Sequence, residues 1–298
     1  MNHVFDILIK ESNRDELDSI ANLFNEHQND PFTYLADIQL FKIFSQLKPF
    51  RGFVAKTNGR VIGCIYGLQY LYSCGWIGGL FVHKDFRRMG IGRRLLSAVL
   101  DYLGSGYNYL FVDPKNIAAR RLVEAMGFKA VYRRLNYVVQ NPLTRFENAC
   151  NKITYDVKWS DLSKATGFKE RDSVVSMGYY PIKVTRKTFE DLSRRRRISR
   201  CGSVLTIIEK PYCINTNEYE FTFNEYILKG ISNPIPKKSV VEVNPFYTKL
   251  ELNDLAQLIN HLTQQGEVHL WTYEKDPLIT TLPLKSTLGA LVMELHRC

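Results

Sequence analysis

The residues best suited to chemistry in this sequence form a short turn that contains glycine and arginine. An apolar run ends at Val82, a basic turn follows, and a helical pattern begins near Gly90. The first turn of a helix has N–H groups without intrahelical partners and the positive end of the helix dipole, so it attracts phosphate. Glycine at positions 90 and 92 lets backbone approach a ligand closely. The charges that suit a pyrophosphate are those of Arg87, Arg88, Arg93 and Arg94.

Hydrophobic periodicity predicts the elements that must position this turn. They are a strand near 5–10, helices at 17–24 and 34–47, a hairpin that turns at Asn58-Gly59, a strand at 76–82, a helix at 90–103, a strand at 107–112, a helix at 117–126 and a strand at 130–139. Asn13 followed by Glu16 has the spacing of a capping box before the first helix. The order predicts a mixed sheet with a strand–helix–strand crossover.

Two segments in this order resemble the GNAT superfamily of acetyltransferases. Arg87-x-x-Gly90-x-Gly92 after a strand resembles the family's coenzyme A pyrophosphate loop. Residues 116–128, Asn-Ile-Ala-Ala-Arg-Arg-Leu-Val-Glu-Ala-Met-Gly-Phe, resemble the family's Asn-x-x-Ala-x-x-Leu-Tyr-Glu-x-x-Gly-Phe segment. A nucleotide P-loop is excluded because no Gly-Lys-Ser/Thr follows the glycines. The resemblance covers roughly residues 4–140 and implies an α/β (α+β) GNAT fold, with a mixed central sheet flanked by helices.

Each segment also has a purely structural interpretation. Gly90 and Gly92 could shape a tight turn whose arginines are a solvated face, and Asn116 could be the N-cap of a helix that ends at Gly127. Both interpretations must hold together to defeat the assignment of an acyl-CoA site. Capping by Asn116 is expected in either case.

The resemblance implies acetyl-CoA as co-substrate and transfer of its acetyl group to a primary amine by direct attack in a ternary complex. Backbone N–H groups of the strand before the loop would hold the thioester carbonyl. The predicted cofactor-binding residues are Leu80, Phe81, Val82, Arg87, Arg88, Met89, Gly90, Ile91, Gly92, Arg93 and Asn116. No metal is expected, because the cysteines and histidines do not have the spacing of metal ligands.

The predicted catalytic groups are less well defined than the cofactor site. Val123 stands where the family often has a tyrosine that serves as general acid. Tyr132, Tyr137 and His83 are the candidates to replace it, and ordered water or the Cys74 thiolate are alternatives. The departure at Val123 favours a second hypothesis, a catalytically silent protein that binds acetyl-CoA and regulates or scaffolds a partner.

The second half is predicted to echo the first. A strand at 239–246, a helix at 252–265 and a strand at 267–273 have the spacing of residues 76–112. The turn between them lacks glycine and has one basic residue, so it should not hold a pyrophosphate. The sequence therefore predicts a GNAT domain at 1–142 and, at 143–298, a second α/β lobe that is a degenerate GNAT-like repeat without a CoA site.

Charge and composition limit the kinds of partner that the protein is expected to bind. The net charge is +10, and the most basic run is Arg194, Arg195, Arg196 and Arg197. A solvated face is the first interpretation of this run, and nucleic acid or an acidic partner is the second. A second lobe that closes over the site would favour a small-molecule amine over a protein acceptor. The sequence lacks a membrane-spanning stretch and a secretory signal, and its scattered cysteines suggest reduced thiols, which together predict a cytoplasmic protein.

Overall fold

The computed structural model divides the chain into two compact units. The structure describes residues 6–27, 29–30, 45, 49–70, 74–139, 153–177, 180–208, 212–214, 218–223, 226–231, 238–247, 249, 251–264, 267–277 and 286–297. Unit 1 comprises Met1–Lys129, Thr222–Gly230 and Met293–Cys298, and unit 2 comprises Ala130–Phe221 and Ile231–Val292. The boundary predicted between residues 142 and 143 lies outside the described residues and stays a prediction.

Unit 1 is a mixed sheet with its helices in the predicted order. Its elements are β1 (Leu8–Glu11), a 3-10 turn (Arg14–Glu16), α1 (Leu17–Asn25), β2 (Phe50–Thr57), β3 (Arg60–Tyr70), β4 (Cys74–Val82), α2 (Ile91–Leu103), β5 (Gly106–Val112) and α3 (Ile117–Ala125). From β1 to β4 each strand pairs antiparallel with the next, and β4 pairs in parallel with β5. A parallel pair needs a crossover, and α2 supplies it.

The predicted hairpin is confirmed, and it joins β2 to β3. Asn58 has φ 48° and Gly59 has φ 78°. A two-residue turn of this kind needs positive φ at both positions, which is why asparagine and glycine are favoured there. The helix predicted at 34–47 falls almost entirely outside the described residues.

The crossover helix α2 packs closely on β3. Its side chains Leu95, Leu96 and Val99 are fully buried. A Cβ atom at Gly67 of β3 would lie 2.8 Å from Val99 Cγ1, and one at Gly63 would lie 3.1 Å from Leu95 Cδ1. Glycine at these two positions therefore sets how closely the helix approaches the sheet.

The rest of the chain contains a second set of strands and helices. They are β6 (Lys129–Val139), α4 (Trp159–Lys164), α5 (Thr166–Glu170), β7 (Val174–Met177), β8 (Tyr180–Lys183), α6 (Arg186–Arg194), β9 (Ile198–Cys201), β10 (Val204–Ile208), β11 (Tyr212–Ile214), β12 (Glu218–Phe223), β13 (Tyr226–Ile231), β14 (Lys238–Phe246), α7 (Leu252–Thr263), β15 (Glu267–Tyr273) and β16 (Ser286–Arg297). In unit 2, β14 pairs in parallel with β15 and antiparallel with β10, and β15 pairs antiparallel with β6.

The strand–helix–strand repeat predicted in the second half is confirmed as β14, α7 and β15. The apolar face of α7 packs into one buried cluster with these strands and β6. Members of that cluster are Leu255, Leu258, Ile259, Leu262, Val241, Val243, Val268, Leu270, Tyr137 and Val139. The period of the apolar residues in α7 is thus the period of a helix that lies on a sheet.

Two observations bear on the predicted location of the protein. Among the described residues, no helix is long and apolar enough to cross a membrane. Cys201 is disulfide-bonded, so the prediction that the cysteines are all reduced thiols is wrong at this position.

The predicted capping box at the start of α1 is present and carries a buried carboxylate. The backbone N–H of Asn13 donates to Glu16 Oε2 at 3.1 Å. Lys10 Nζ and Lys56 Nζ lie 2.8 Å and 3.0 Å from Glu16 Oε1. Burial acts to raise the pKa of Glu16, but the two lysines and the Asn13 N–H outweigh it and hold that pKa below its ordinary value.

Glu16→Gln should lower the free energy of unfolding by about 1 to 2 kcal/mol near neutral pH, because charge-assisted hydrogen bonds are lost at a buried site. A depressed carboxyl pKa stabilises the folded state above the unfolded pKa of about 4.3, and that stability is lost as the pH falls through the folded pKa. Denaturant unfolding of wild type and variant between pH 7 and pH 3 measures both effects.

Glu11→Gln is the matched control for this prediction. Glu11 pairs with Arg51 at 2.6 Å, but both side chains are 50% exposed. An exposed pair contributes less than about 1 kcal/mol, so this variant should change stability little. Equal losses in the two variants would contradict the role assigned to Glu16.

Candidate functional site

The turn that follows β4 has the backbone conformation of an anion site. Arg88 has φ 67° and Gly90 has φ 75°, both in the left-handed region. Gly90 is the N-cap of α2, and the N–H of Arg94 donates to the Gly90 carbonyl at 3.1 Å. The N–H groups of residues 91–93 belong to the first helical turn, which has no intrahelical acceptors. Alternation of left-handed and ordinary residues turns successive N–H groups toward one side, as in an anion nest.

Three of the four arginines around this turn contact protein atoms. Arg87 Nε donates to the Val82 carbonyl at 3.0 Å, and its Nη2 lies 2.6 Å from Asp30 Oδ2. Arg94 Nη2 donates to the Ile7 carbonyl at 2.7 Å. Arg93 reaches a backbone carbonyl at the end of α3 at 3.5 Å. The side chain of Arg88 is exposed and makes no hydrogen bond or ion pair within the described part of the chain.

Gly92, the second glycine of the motif, lies where α2 meets α3. A Cβ atom there would lie 3.1 Å from Leu122 Cδ2 and 4.0 Å from Val82 Cγ2. The two helices and the end of β4 thus converge at this glycine. Its contribution is close packing, whereas Gly90 supplies the left-handed conformation.

β4, the strand that leads to the turn, is paired with its parallel neighbour β5 over only part of its length. The pairing of β4 with β5 ends at Trp76 opposite Tyr109, although β4 continues to Val82 and β5 to Val112. The register between β3 and β4 shifts between Cys64 and Tyr66, and Gly79 at this bulge has φ 63°. Residues 78–80 are partly exposed. The predicted carbonyl-binding residues Leu80, Phe81 and Val82 follow the bulge, beyond the last pair with β5.

Asn116 is the N-cap of α3, as its structural interpretation predicts. Its Oδ1 accepts a hydrogen bond from the N–H of Ala119 at 3.0 Å. Val123 on the same helix is 2% exposed, so the residue at the position of the family's tyrosine is buried and has no proton to donate. Cys74, the alternative catalytic thiolate, is also buried.

The three predicted catalytic residues lie in different units. Tyr132 belongs to unit 2, where its hydroxyl lies 3.0 Å from Ser176 Oγ and burial raises its pKa. Tyr137 also belongs to unit 2, within the apolar cluster of α7, and burial raises its pKa as well. His83 belongs to unit 1 and directly follows β4. Catalytic roles for these residues stay predictions.

His83 lies in a polar cluster that sequence reasoning missed. Its Nε2 is 3.3 Å from Glu26 Oε2 and 3.2 Å from Arg60 Nη2. The ring of His27 is 4.6 Å from the ring of His83, and both histidines are about 5% exposed. Glu26, His27 and His83 offer atoms within 4.8 Å of one another that could hold a metal ion, against the expectation of no metal. Glu26 and His27 are adjacent, but His83 and Arg60 lie far from them in sequence, so no local motif could reveal the cluster.

In unit 2 two parallel strands diverge in the same way, but a side chain lies between them. The pairing of β14 with β15 ends at Val243 opposite Leu270. The guanidinium of Arg171, which is fully buried, donates to the carbonyl of Pro245 on β14 at 2.9 Å and to that of Trp271 on β15 at 3.4 Å. It also lies 4.2 Å from the ring centroid of Phe246. Arg171 therefore bridges the two strands where they separate.

The turn before α7 also lacks the features of the loop before α2. The N-cap of α7 is Glu251, in an extended conformation, and Asp254 lies in the first turn. The Asp254 carboxylate accepts the N–H of Ser203 at 2.7 Å. Acidic groups at this helix terminus repel a phosphate, which agrees with the prediction from its sequence.

Comparisons with known proteins agree with this geometry. The sequence profile of the acetyltransferase (GNAT) family matches residues 17–128. A GCN5-related N-acetyltransferase from Sphaerobacter thermophilus has a TM-score of 0.50 and 11% identity, over 97% of this chain and 95% of that one. A candidate acetyltransferase from Thermoplasma acidophilum has a TM-score of 0.52 and 13% identity, over 97% and 100%.

A third structure also covers nearly the whole chain. It is the GCN5-related glucosamine N-acetyltransferase region of a fungal multi-domain β-N-acetylglucosaminidase, with a TM-score of 0.55 and 11% identity over 99% of this chain and 38% of that one. A search of curated protein sequences finds no match. At these sequence identities the structural matches support the fold alone, and the assignment to the family rests on the profile match. The chain thus has a GNAT-type α/β fold and carries, at residues 17–128, a domain that belongs to the GNAT acetyltransferase family.

Proposed function

We propose that unit 1 binds acetyl-CoA and transfers its acetyl group to a primary amine by direct attack in a ternary complex. One observation carries this proposal: the exposed Arg88 and the left-handed pair Arg88 and Gly90 form an anion site directly after a bulged strand whose edge leaves its neighbour. A pyrophosphate at the turn would put the rest of an acyl-CoA molecule along that edge.

The residues of the loop have different proposed roles in binding. First-turn N–H groups of Ile91, Gly92 and Arg93 would donate to phosphate oxygens, and Arg88 would add a charge-assisted hydrogen bond. Arg87 has a supporting role, because its contacts with Val82 and Asp30 fix the turn. Met89 is 42% exposed beside them and can cover the ligand.

The bulged part of β4 would position the reacting carbonyl. N–H groups of residues 80–82 are proposed donors to the thioester oxygen, because they follow the bulge at Gly79 and lie beyond the pairs with β5. An attacking amine must lose a proton, and its ordinary pKa of about 10.4 keeps it charged at neutral pH. Val123 cannot assist, so Tyr132, Tyr137, His83 or water remains the proposed proton carrier.

A catalytically silent protein that binds acetyl-CoA is the second candidate function. The burial of Val123 at the position of the family's tyrosine favours it. The two candidates separate in one assay, release of free thiol from acetyl-CoA against a panel of small-molecule amines and amine-bearing peptides. Thiol release supports the transferase, and we expect a small-molecule acceptor. Binding with no release from either class of acceptor supports the silent protein.

We propose that unit 2 has no CoA site. The Arg171 guanidinium occupies the position between the diverging strands that corresponds to the edge proposed for acyl-CoA in unit 1. Nucleic acid is a weaker proposal for unit 2. Arg194 and Arg195 both pair with Asp191, and Arg196 lies 4.4 Å from the ring centroid of Tyr155. These contacts support the interpretation of the arginine run as a surface with internal partners.

Reversal of the exposed charge, Arg88→Glu, should weaken acetyl-CoA binding at least about tenfold, because a carboxylate would face the pyrophosphate. Isothermal titration of acetyl-CoA measures the effect. Arg194→Glu is the control, since it makes the same change in net charge at a side chain that is 76% exposed in unit 2. Equal affinity in Arg88→Glu and wild type would contradict the assignment of the loop.

Gly79→Ala should disturb the bulge, because alanine with φ near 63° is strained by about 1 to 2 kcal/mol. We expect a similar loss of stability in Gly59→Ala, where φ is 78° and an added Cβ meets no atom within 4 Å. Acetyl-CoA affinity should fall about tenfold in Gly79→Ala alone. Titration and denaturant unfolding of both variants test this, and unchanged affinity in Gly79→Ala would remove the bulge from the site.

The stoichiometry of binding tests the proposal for unit 2. Titration of acetyl-CoA into wild type should give about one molecule per chain, and Arg88→Glu should show no remaining tight site, because a pre-formed anion site occurs before α2 and acidic groups stand before α7. Two molecules per chain, or a tight site that survives in Arg88→Glu, would show that unit 2 binds the ligand after all.

A further inference from the structure

Two buried histidines hold the turn that leads into the phosphate loop. His27 Nδ1 lies 2.9 Å from the Leu23 carbonyl, so this nitrogen carries the proton and donates it. His27 Nε2 then has a lone pair, which accepts the backbone N–H of Lys84 at 3.2 Å. A neutral imidazole satisfies both contacts, and a protonated one does not.

His83 repeats this arrangement one residue later. Its Nδ1 accepts the backbone N–H of Asp85 at 3.2 Å in the tautomer that carries the ring proton on Nε2. In that tautomer Arg60 Nη2, which lies 3.2 Å from Nε2, donates to Glu26 Oε2 and not to the ring. Nε2 lies 3.3 Å from Glu26 Oε2, which can accept that proton. The two rings meet edge to face at 4.6 Å and 84°. Two successive N–H groups of the turn therefore have a histidine ring nitrogen as acceptor.

This turn is continuous with the arginine that braces the loop. The segment Lys84–Phe86 forms one 3-10 turn, and Arg87 follows it directly. Arg87 pairs with Asp30, and the N–H of Asp30 donates to the His27 carbonyl at 2.9 Å. His27 thus contacts the turn through its ring and the partner of Arg87 through its backbone.

We propose that His27 and His83 are positioning residues, a pair of neutral imidazoles that hold the turn at Lys84 and Asp85 and so keep the phosphate loop in its binding conformation. Protonation of either ring converts the acceptor into a donor and releases the turn. Affinity for acetyl-CoA should therefore fall in mildly acid solution. This inference rests on the proposed function for its ligand, and it assigns His83 to positioning instead of proton transfer.

The charges around the two rings decide the pH range. Burial, His27 and Arg60 lower the pKa of His83, while Asp85 and Glu26 oppose them. Glu26 is at the end of α1, Arg60 at the start of β3, and Lys84 and Asp85 in the turn itself. We call the hydrogen bonds from the two histidine rings to the N–H groups of Lys84 and Asp85 the clamp. Because the pKa of His83 is lowered, the clamp is intact above the unfolded pKa of about 6.5, and it is lost as the pH falls through the folded pKa.

A metal ion is a less favourable occupant of this cluster. Glu26, His27 and His83 have ligand atoms within 4.8 Å of one another, but Arg60 Nη2 already lies 2.6 Å from Glu26 Oε2 and 3.2 Å from His83 Nε2. A divalent ion would face that guanidinium at short range. It would also need the lone pairs that hold the N–H groups of Lys84 and Asp85. The geometry therefore favours hydrogen bonding over metal ligation.

Side-chain amides can replace the histidines as hydrogen-bond acceptors without being titratable, so amide variants separate the two properties. The side-chain oxygen of His83→Asn lies near the place of Nδ1, and that of His27→Gln near the place of Nε2. Each amide can accept the N–H without a change of charge. His261→Gln is the control, because His261 is an exposed histidine on α7 in unit 2.

The first measurement uses the free protein and needs no ligand. Amide hydrogen exchange at Lys84 and Asp85, followed by NMR from pH 7.5 to 4.5, should show protection falling in wild type and His261→Gln as acid converts the ring acceptors into donors. Protection should stay constant in His27→Gln/His83→Asn after correction for intrinsic exchange. Constant protection in wild type would overturn the proposal, whatever the ligand proves to be.

The second measurement is the acetyl-CoA dissociation constant at pH 7.5 and 4.5. We expect it to rise about tenfold in wild type beyond the change shown by His27→Gln/His83→Asn, with both proteins within about threefold at pH 7.5. Titration of the ligand's own phosphates is common to both and cancels in the ratio. His27→Ala/His83→Ala should bind weakly at both pH values.

The outcomes separate this inference from the proposed function. Binding at pH 7.5 with the same pH dependence in all the histidine variants would overturn the clamp and leave the acetyl-CoA site in place. Loss of amide protection without any acetyl-CoA binding would keep the clamp and overturn its link to this ligand. Zn²⁺ that raises the unfolding temperature of wild type but not of His27→Gln/His83→Asn would overturn the assignment in favour of a metal site.

Discussion

The separation of two parallel strands is the constraint on which the candidate site depends. Where β4 leaves β5 after Trp76, the backbone groups on the facing edge need other partners, because buried N–H and C=O groups are almost always hydrogen-bonded. The bulge at Gly79 and the left-handed turn at Gly90 lie on the same continuous segment. In the proposed complex, this one stretch of backbone would present donors first to the thioester carbonyl and then to the pyrophosphate, and α2 follows at once to add its dipole.

In unit 2 a side chain supplies hydrogen bonds to the backbone groups of the separated strands. The carbonyls of Pro245 and Trp271 beyond the last β14–β15 pair accept hydrogen bonds from Arg171. A buried cation is costly unless it is well solvated by its neighbours, and here the carbonyls, the ring of Phe246 and the attraction of Asp276 provide that environment. The same topology therefore gives a partly exposed edge at residues 78–80 in unit 1 and an edge bridged by Arg171 in unit 2.

Local patterns in the sequence were sufficient for most of the fold and for the loop. The turn at Asn58, the capping box at Glu16 and the apolar face of α7 each follow from spacing within about a dozen residues, and each is confirmed. Arg171 and the cluster around His83 were missed, because their partners come from distant segments that only the fold brings together. The division of roles among the arginines was equally hidden, since the contacts of Arg87 and the exposure of Arg88 depend on Asp30 and on the backbone path.

In the proposed pairing of neutral histidines with a phosphate site, geometry would outweigh charge. A protonated His83 would attract a phosphate, but it would also be a buried charge beside the Arg60 guanidinium, which is itself unfavourable. The same proton would leave the Asp85 N–H facing a second donor, and an unsatisfied group of this kind costs about 1 to 3 kcal/mol. Because anion binding at a helix terminus depends on several N–H groups that point to one place, a released turn loses more than a nearby charge returns. Burial and Arg60, which lower the pKa of His83, would therefore favour binding at the proposed phosphate site even though they oppose a positive charge in its vicinity.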